Sequence, residues 1–202
     1  MRVGVLASGA GTNLQALIER VHGRGGVRIV AVGSDRPDAA ALQRATGAGL
    51  PVRAFAEREF AGRGERDRAM ADWLIDAGVE LVVLAGYMRL LSPGFLAAFP
   101  DRVINVHPAL LPSFPGIAAI EQAVAHGVKV FGVTVHFVDE GVDSGAIIAQ
   151  RAVELPDAPG HEEVRDALRP LEHDLLCGVV AAFGAGRVRV DRRRPRHVLI
   201  GT

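Results

Sequence analysis

The feature that most constrains this chain is a rhythm. Short runs dominated by apolar residues, at 3–7, 27–32, 51–55, 81–84 and 103–106, alternate with segments whose apolar residues recur at helical spacing. A strand that is apolar at successive positions has no face to give to water, so it belongs in a sheet covered on both sides. Leu14, Leu17, Ile18 and Val21 mark one face of a helix that starts near Thr12 or Asn13, both acceptable N-cap types. Residues 38–48 form a second helix, and Met70, Trp73, Leu74 and Ala77 mark the inner face of a third. Short helices are expected over 93–99 and 118–125, further strands over 130–138 and 146–153, and a long helix over 162–183 before a basic, β-like ending. Pro170 lacks an N–H and is expected to kink or break that long helix just before Glu172. This order predicts an α/β, Rossmann-like three-layer fold with a mainly parallel sheet, built as one domain over 1–202 with 183–202 as a C-terminal tail. Ligands in such folds bind at the carboxyl ends of strands, which directs attention to the segments after Ala7, Ala85, Val106 and Val138.

Composition narrows the partners. Lys and Arg together number 23, as do Asp and Glu, so no global charge draws the chain to nucleic acid or to an anionic membrane. Any anion must be held locally. The single cysteine, Cys177, excludes a disulfide framework and lies among apolar helical residues, which fits a packed thiol in a reducing compartment. The N-terminal apolar run gives way to glycines too soon for a signal-peptide core, so a cytoplasmic protein with no membrane segment is expected. The basic cluster Arg192, Arg193, Arg194 and Arg196 around Pro195 reads as a solvated tail. His22, His126 and His197 read as solvated helix-end or tail residues.

Ser8-Gly9-Ala10-Gly11 closes the first strand. Glycines there let main chain approach a ligand, and the following helix directs free N–H groups and a positive partial charge at it. A phosphate suits that place, with Gly11, Thr12 and Asn13 as its donors. No Gly-Lys-Ser/Thr follows, so this is not a Walker A loop. As a dinucleotide fingerprint it passes only in part, because Leu14 stands where a small residue should be, while Asp35 could still hold a ribose.

Asn105 and His107 stand two residues apart at the end of the fifth strand, so their side chains leave the same face and can act on one atom. The imidazole can donate or accept a proton near neutral pH, and the amide can donate to an oxygen as it gains negative charge. Pro108, Pro112 and Pro115 stiffen the loop that follows. His136, in the sixth strand, is a structural or supporting residue on this reading. Asp143 lies in a glycine-flanked loop, where its functional role would be to orient His107 or position a water. A metal held by His107, His136 and Asp143 is not expected, since no two of them have close ligand spacing in the chain.

These blocks, in this order, resemble the phosphoribosylglycinamide formyltransferases, the folate-dependent transformylases of purine biosynthesis. The turn 8–13 is similar to the family's substrate-phosphate loop, Ala85-Gly86-Tyr87-Met88-Arg89-Leu90-Leu91-Ser92 to its folate-pocket segment, and Asn105-Val106-His107-Pro108 to the signature shared by folate-dependent formyl transferases. Residues 132–138 followed by Asp143-Ser144-Gly145 resemble the second half of that signature. The resemblance implies transfer of a formyl group from 10-formyltetrahydrofolate, as co-substrate and without a metal, to the amine of glycinamide ribonucleotide. It implies Asn105, His107 and Asp143 as the catalytic set, Arg63, Met88, Arg89, Leu90 and Leu91 on the folate side, and Glu172 touching the substrate amine. Ala118 departs from the pattern where some members carry a histidine, and Ala146 where a proline is common.

Two other readings share parts of this pattern. Formyltetrahydrofolate hydrolase and methionyl-tRNA formyltransferase carry the same Asn-x-His-Pro block, and each is expected to bring a further domain that 202 residues do not accommodate. A nicotinamide-binding or nucleotide-sensing module without catalysis would use Gly9, Gly11 and Asp35. Small molecules are the expected partners, and a homodimer stays open.

Overall fold

The computed structural model describes residues 1–157, 160–191, 193–194 and 196–201. Arg192 and Pro195 of the basic cluster thus lie outside the described residues. The chain runs β1 (Arg2–Leu6), α1 (Thr12–Arg20), β2 (Arg28–Ser34), α2 (Ala40–Gly47), β3 (Val52–Ala54), α3 (Arg63–Asp76), β4 (Leu81–Leu84), α4 (Pro93–Ala98) and β5 (Val103–His107). It continues through α5 (Ala119–Ala125), β6 (Val130–Phe137), β7 (Ile147–Glu154), α6 (His161–Gly184), β8 (Val188–Val190) and β9 (Val198–Ile200). The first seven strands form one sheet in the order β3-β2-β1-β4-β5-β6-β7. β3 through β5 in that order pair in parallel, while β6 and β7 extend the sheet antiparallel.

The strand periodicity sorts side chains between two apolar layers. Val3, Val5, Leu81, Val83, Ile104 and Val106 face a core shared with Leu14, Ala41, Ile120 and Leu176, from α1, α2, α5 and α6. Leu6, Val82, Leu84 and Val103 face the opposite core, with Met70 and Leu74 of α3 and Phe95 of α4. Both faces are therefore covered, which is why these strands tolerate no polar alternation. Asn105 and His107 share the parity of Val103 and project on the α3–α4 side.

The structure refines two elements of the sequence reading and overturns one expectation. α3 begins at Arg63, a full two turns before its apolar stripe becomes obvious, and the Glu65 carboxylate accepts the Ala61 N–H at 2.8 Å at its start. The basic ending is a separate antiparallel hairpin of β8 and β9. α6 continues unbroken through Pro170, contrary to the expected break. The missing N–H is outweighed by tertiary burial on both sides of it, Val164 and Leu168 before the proline and Leu175, Leu176, Val179 and Val180 after it. No helix among the described residues is long and apolar enough to cross a membrane.

Candidate active site

The strand order reverses between β1 and β4, since β1 is followed on one side by β2 and β3 and on the other by β4 and β5. That reversal opens a crevice at the carboxyl ends of the two strands. Its walls are tied together: the Ser8 N–H donates to the Gly86 carbonyl at 3.0 Å, and the Ser8 hydroxyl accepts the Met88 N–H at 2.9 Å.

The turn after β1 is built for close approach. Gly11 caps α1 at φ 71°, and a Cβ there would fall 2.7 Å from the Ala41 Cα, so only glycine fits. Above Gly9 a Cβ would meet no atom within 4 Å, which leaves open space over the turn. The first helical hydrogen bond of α1 is Gln15 N–H to the Gly11 carbonyl, and its first turn holds no acidic residue, so the amides at the start of the helix are available to an anion. Asn13 is buried; its amide donates to Glu172 Oε2 at 3.1 Å, while its Oδ1 has no hydrogen-bond partner among the described residues. Burial pushes the Glu172 carboxyl above its ordinary value, and the Asn13 hydrogen bond and the charge of Arg169 offset part of that rise. Glu172 thus reaches the glycine turn, two residues after the proline.

The loop after β4 places Met88 and Leu90 outward, 67% and 57% exposed. Leu91 is buried in the core, so only its main chain can face a ligand. Arg89 bonds Asp35 Oδ2 at 3.0 Å and Glu57 Oε2 at 3.2 Å, which makes it a strut of the loop and occupies one oxygen of the carboxylate that a dinucleotide ribose would need. Leu14 is fully buried in the core, where a dinucleotide fold would want a small residue. Arg63 stands exposed at the first position of α3.

At the end of β5, residues far apart in sequence converge on one carboxylate. Asn105 and His107 lie opposite His136 and Thr134 of β6 in the antiparallel register, and directly paired residues share a face. Asp143 adopts φ 50°, in the left-handed region, and its carboxylate turns inward. Oδ2 accepts the Gly116 N–H at 2.7 Å and lies 3.3 Å from His107 Nδ1; Oδ1 lies 3.4 Å from His136 Nε2 and accepts from the Asn105 amide at 3.5 Å. The same amide nitrogen is 3.2 Å from His136 Nε2. His107 Nε2 is 2.8 Å from the Phe114 carbonyl, so both ring nitrogens face oxygen atoms and the ring is held from two sides. His136 Nδ1 points at the Phe137 carbonyl at 2.8 Å, which fixes that ring as well. Burial works against ionisation of Asp143, yet the hydrogen bond from His136, the Gly116 N–H and the two imidazoles together hold its carboxyl below the ordinary value. The Asn105 amide, the His107 imidazole and a charged carboxylate behind it form a set able to stabilise an oxyanion and move a proton.

His107, His136 and Asp143 therefore meet in space although no two of them lie close in the chain, and Asp143 contacts His107 as an orienting residue would. Sequence reasoning passed over the Gly116 N–H and Phe114 carbonyl, which are backbone groups without a side-chain signature. It also passed over Thr134, whose buried hydroxyl donates to the Ala109 carbonyl at 2.7 Å and accepts the Leu111 N–H at 3.1 Å, holding the loop that carries Phe114.

Residues 1–180 match the formyl transferase family. The chain is 39% identical over 190 residues to the phosphoribosylglycinamide formyltransferase of Haemophilus influenzae, covering 94% of this chain and 90% of that one. It is 40% identical over 180 residues to the enzyme of the same name from Bacillus subtilis, covering 89% and 92%. The crystal structure of glycinamide ribonucleotide transformylase 1 from Symbiobacterium toebii superposes with a TM-score of 0.94 at 44% identity, over 100% of this chain and 94% of that one. The chain belongs to the formyl transferase family, among the phosphoribosylglycinamide formyltransferases.

Proposed function

We propose that this protein transfers the formyl group of 10-formyltetrahydrofolate to the amine of glycinamide ribonucleotide in purine biosynthesis, with residues 1–202 acting as one catalytic unit in the cytoplasm. The observation that carries the reading is the Asp143 carboxylate within 3.5 Å of Asn105, His107 and His136, at the end of β5, which β4 separates from the strand that carries the glycine turn. The acceptor's phosphate suits the amides of Gly11, Thr12 and Asn13. The vacant hydrogen-bonding capacity of Asn13 Oδ1 and the half-buried Glu172 suit the amine end of the acceptor. The apolar rim of Met88 and Leu90, with the main chain from Arg89 to Leu91, suits a flat folate ring. Arg63 stands by, exposed, for the acidic end of either substrate.

In the reaction a C–N bond forms between the acceptor amine and the formyl carbon, and the carbonyl pair moves to oxygen. Asn105 donates to that oxyanion, and His107 joins it by turning its Nε2 edge from the Phe114 carbonyl to the new oxygen. Asp143 orients His107 and, through a water, passes the proton leaving the amine to the folate nitrogen as the oxyanion pair re-forms the carbonyl and the folate nitrogen leaves with the C–N pair. His136 supports the carboxylate and the Asn105 amide. No step uses a metal.

Mixing the protein with 10-formyltetrahydrofolate and glycinamide ribonucleotide should consume the formyl donor in proportion to acceptor, with ATP plus formate giving nothing. Formate release without acceptor would assign the chain to the hydrolases instead. Stabilisation by an NAD analogue, with none by glycinamide ribonucleotide, would favour a nucleotide-sensing module.

A further inference from the structure

The loop Gly86 to Ser92 is anchored near its start by the Ser8 hydroxyl, which accepts the Met88 N–H, and at its end by a residue that the chemistry does not use. Asp67 is fully buried on α3, where Asp67, Met70, Ala71 and Leu74 line one face. A carboxylate in that stripe is costly unless paired. Its partner is the adjacent Arg66, which is 3% exposed. Consecutive helical residues do not face one another, so the Arg66 side chain bends back to place Nε and Nη2 on Asp67 Oδ1 at 2.9 and 2.7 Å. The second oxygen, Oδ2, accepts the Ser92 N–H at 2.6 Å. An apolar residue would satisfy the packing, and an ion pair serving only itself would engage both oxygens. Here one is kept for the last amide of the loop.

We propose that Asp67 is a positioning residue for the formyl donor: it sets the main-chain path of Arg89, Leu90 and Leu91, and Arg66 keeps its charge compensated inside the core. This rests on the reading of the loop as the folate side of the site. Only those three residues separate the Met88 and Ser92 anchors; Arg89 is also tied by its side chain and Leu91 by burial, so releasing Ser92 loosens the main chain of Leu90 and Leu91, which must be ordered again when donor binds. The acceptor site and the Asp143 cluster have no hydrogen bond to Asp67 among the described residues.

The test is the double variant Arg66→Met/Asp67→Leu, since replacing a buried ion pair by apolar residues of similar size commonly preserves the fold. Asp67→Asn serves as the single change. The dissociation constant for tetrahydrofolate and the KM for the formyl donor should each rise about tenfold in the double variant. Turnover at saturating donor and the acceptor KM should stay within about twofold, and hydrogen exchange at Ser92 should quicken. A folded double variant with the wild-type donor KM overturns the role of Asp67, as does one in which donor and acceptor KM rise together. Wild-type protein that does not bind tetrahydrofolate at all would instead overturn the reading of the loop.

Discussion

The two halves of the sheet end in different kinds of groups. In the parallel half, β1 and β4 end in main chain: a glycine turn, the amides of a helix start and a loop held by Ser8, Asp35 and Asp67. In the half where β6 adds antiparallel to β5, the site is made of side chains, with Asn105 opposite His136 and Asp143 closing over both. Parallel strands enter the crevice one at a time and deliver loops, whereas neighbouring antiparallel strands put facing residues on one surface at fixed register. The first arrangement suits binding. The second suits proton transfer, where small displacements are costly in rate.

If that division holds, changes in the antiparallel half should cost turnover and changes in the parallel half should cost affinity. The largest effect is expected for His107→Ala and Asp143→Ala, each lowering turnover by roughly 10²–10⁴, and for Asn105→Ala, by about 10²–10³. Isothermal titration of glycinamide ribonucleotide should find binding to all three within a few-fold of wild type. An Asp143→Ala protein with normal turnover would remove the distinction between the halves. Next comes Gly11→Ala, which meets Ala41 at 2.7 Å and forces an L-residue to φ 71°. It should lower stability by about 1–3 kcal/mol and lose acceptor affinity, as read by thermal melting with and without acceptor.

The two carboxylates of the site give a finer comparison, because they shift in opposite directions. Asp143 is held below its ordinary value of 3.8, so it binds fewer protons folded than unfolded; its contribution is present above that pH and is lost as pH falls through the folded value. The stability gap between wild type and Asp143→Asn should therefore narrow in denaturant titrations taken below about pH 4. Glu172 lies above its ordinary 4.5, so its ionisation in the folded state opposes stability as pH rises through the folded value. Glu172→Gln should gain stability relative to wild type as pH climbs above about 4.5, with the gain absent in acid. The smallest effect is expected for Arg196→Ala. Its guanidinium donates to the Ser144 carbonyl at 3.0 Å, beside Asp143 but on the surface, so turnover should fall by at most about fivefold.

Much of this was legible in the chain. Apolar runs at 81–84 and 103–106 marked buried strands because a two-sided sheet leaves no position for water, and the period of two put Asn105 and His107 on one face. The glycine turn was legible because few residues but glycine serve at φ 71°. Pro170 misled for the opposite reason: its local preference was real, but packing of α6 against the sheet outweighed it. Asp67 was hidden by appearing as one more charge in a charged helix start, although its place in the stripe with Met70, Ala71 and Leu74 was a signal.

By itself, the order of residues determined the element sequence, the layered sheet and the shared direction of Asn105 and His107, because periodicity and turn chemistry act over a few residues. Tertiary structure alone decided that His136 and Asp143, 31 and 38 residues away from Asn105, would touch it. Such contacts depend on strand register and on the left-handed turn at Asp143, and neither is set by the local preferences of the residues that meet.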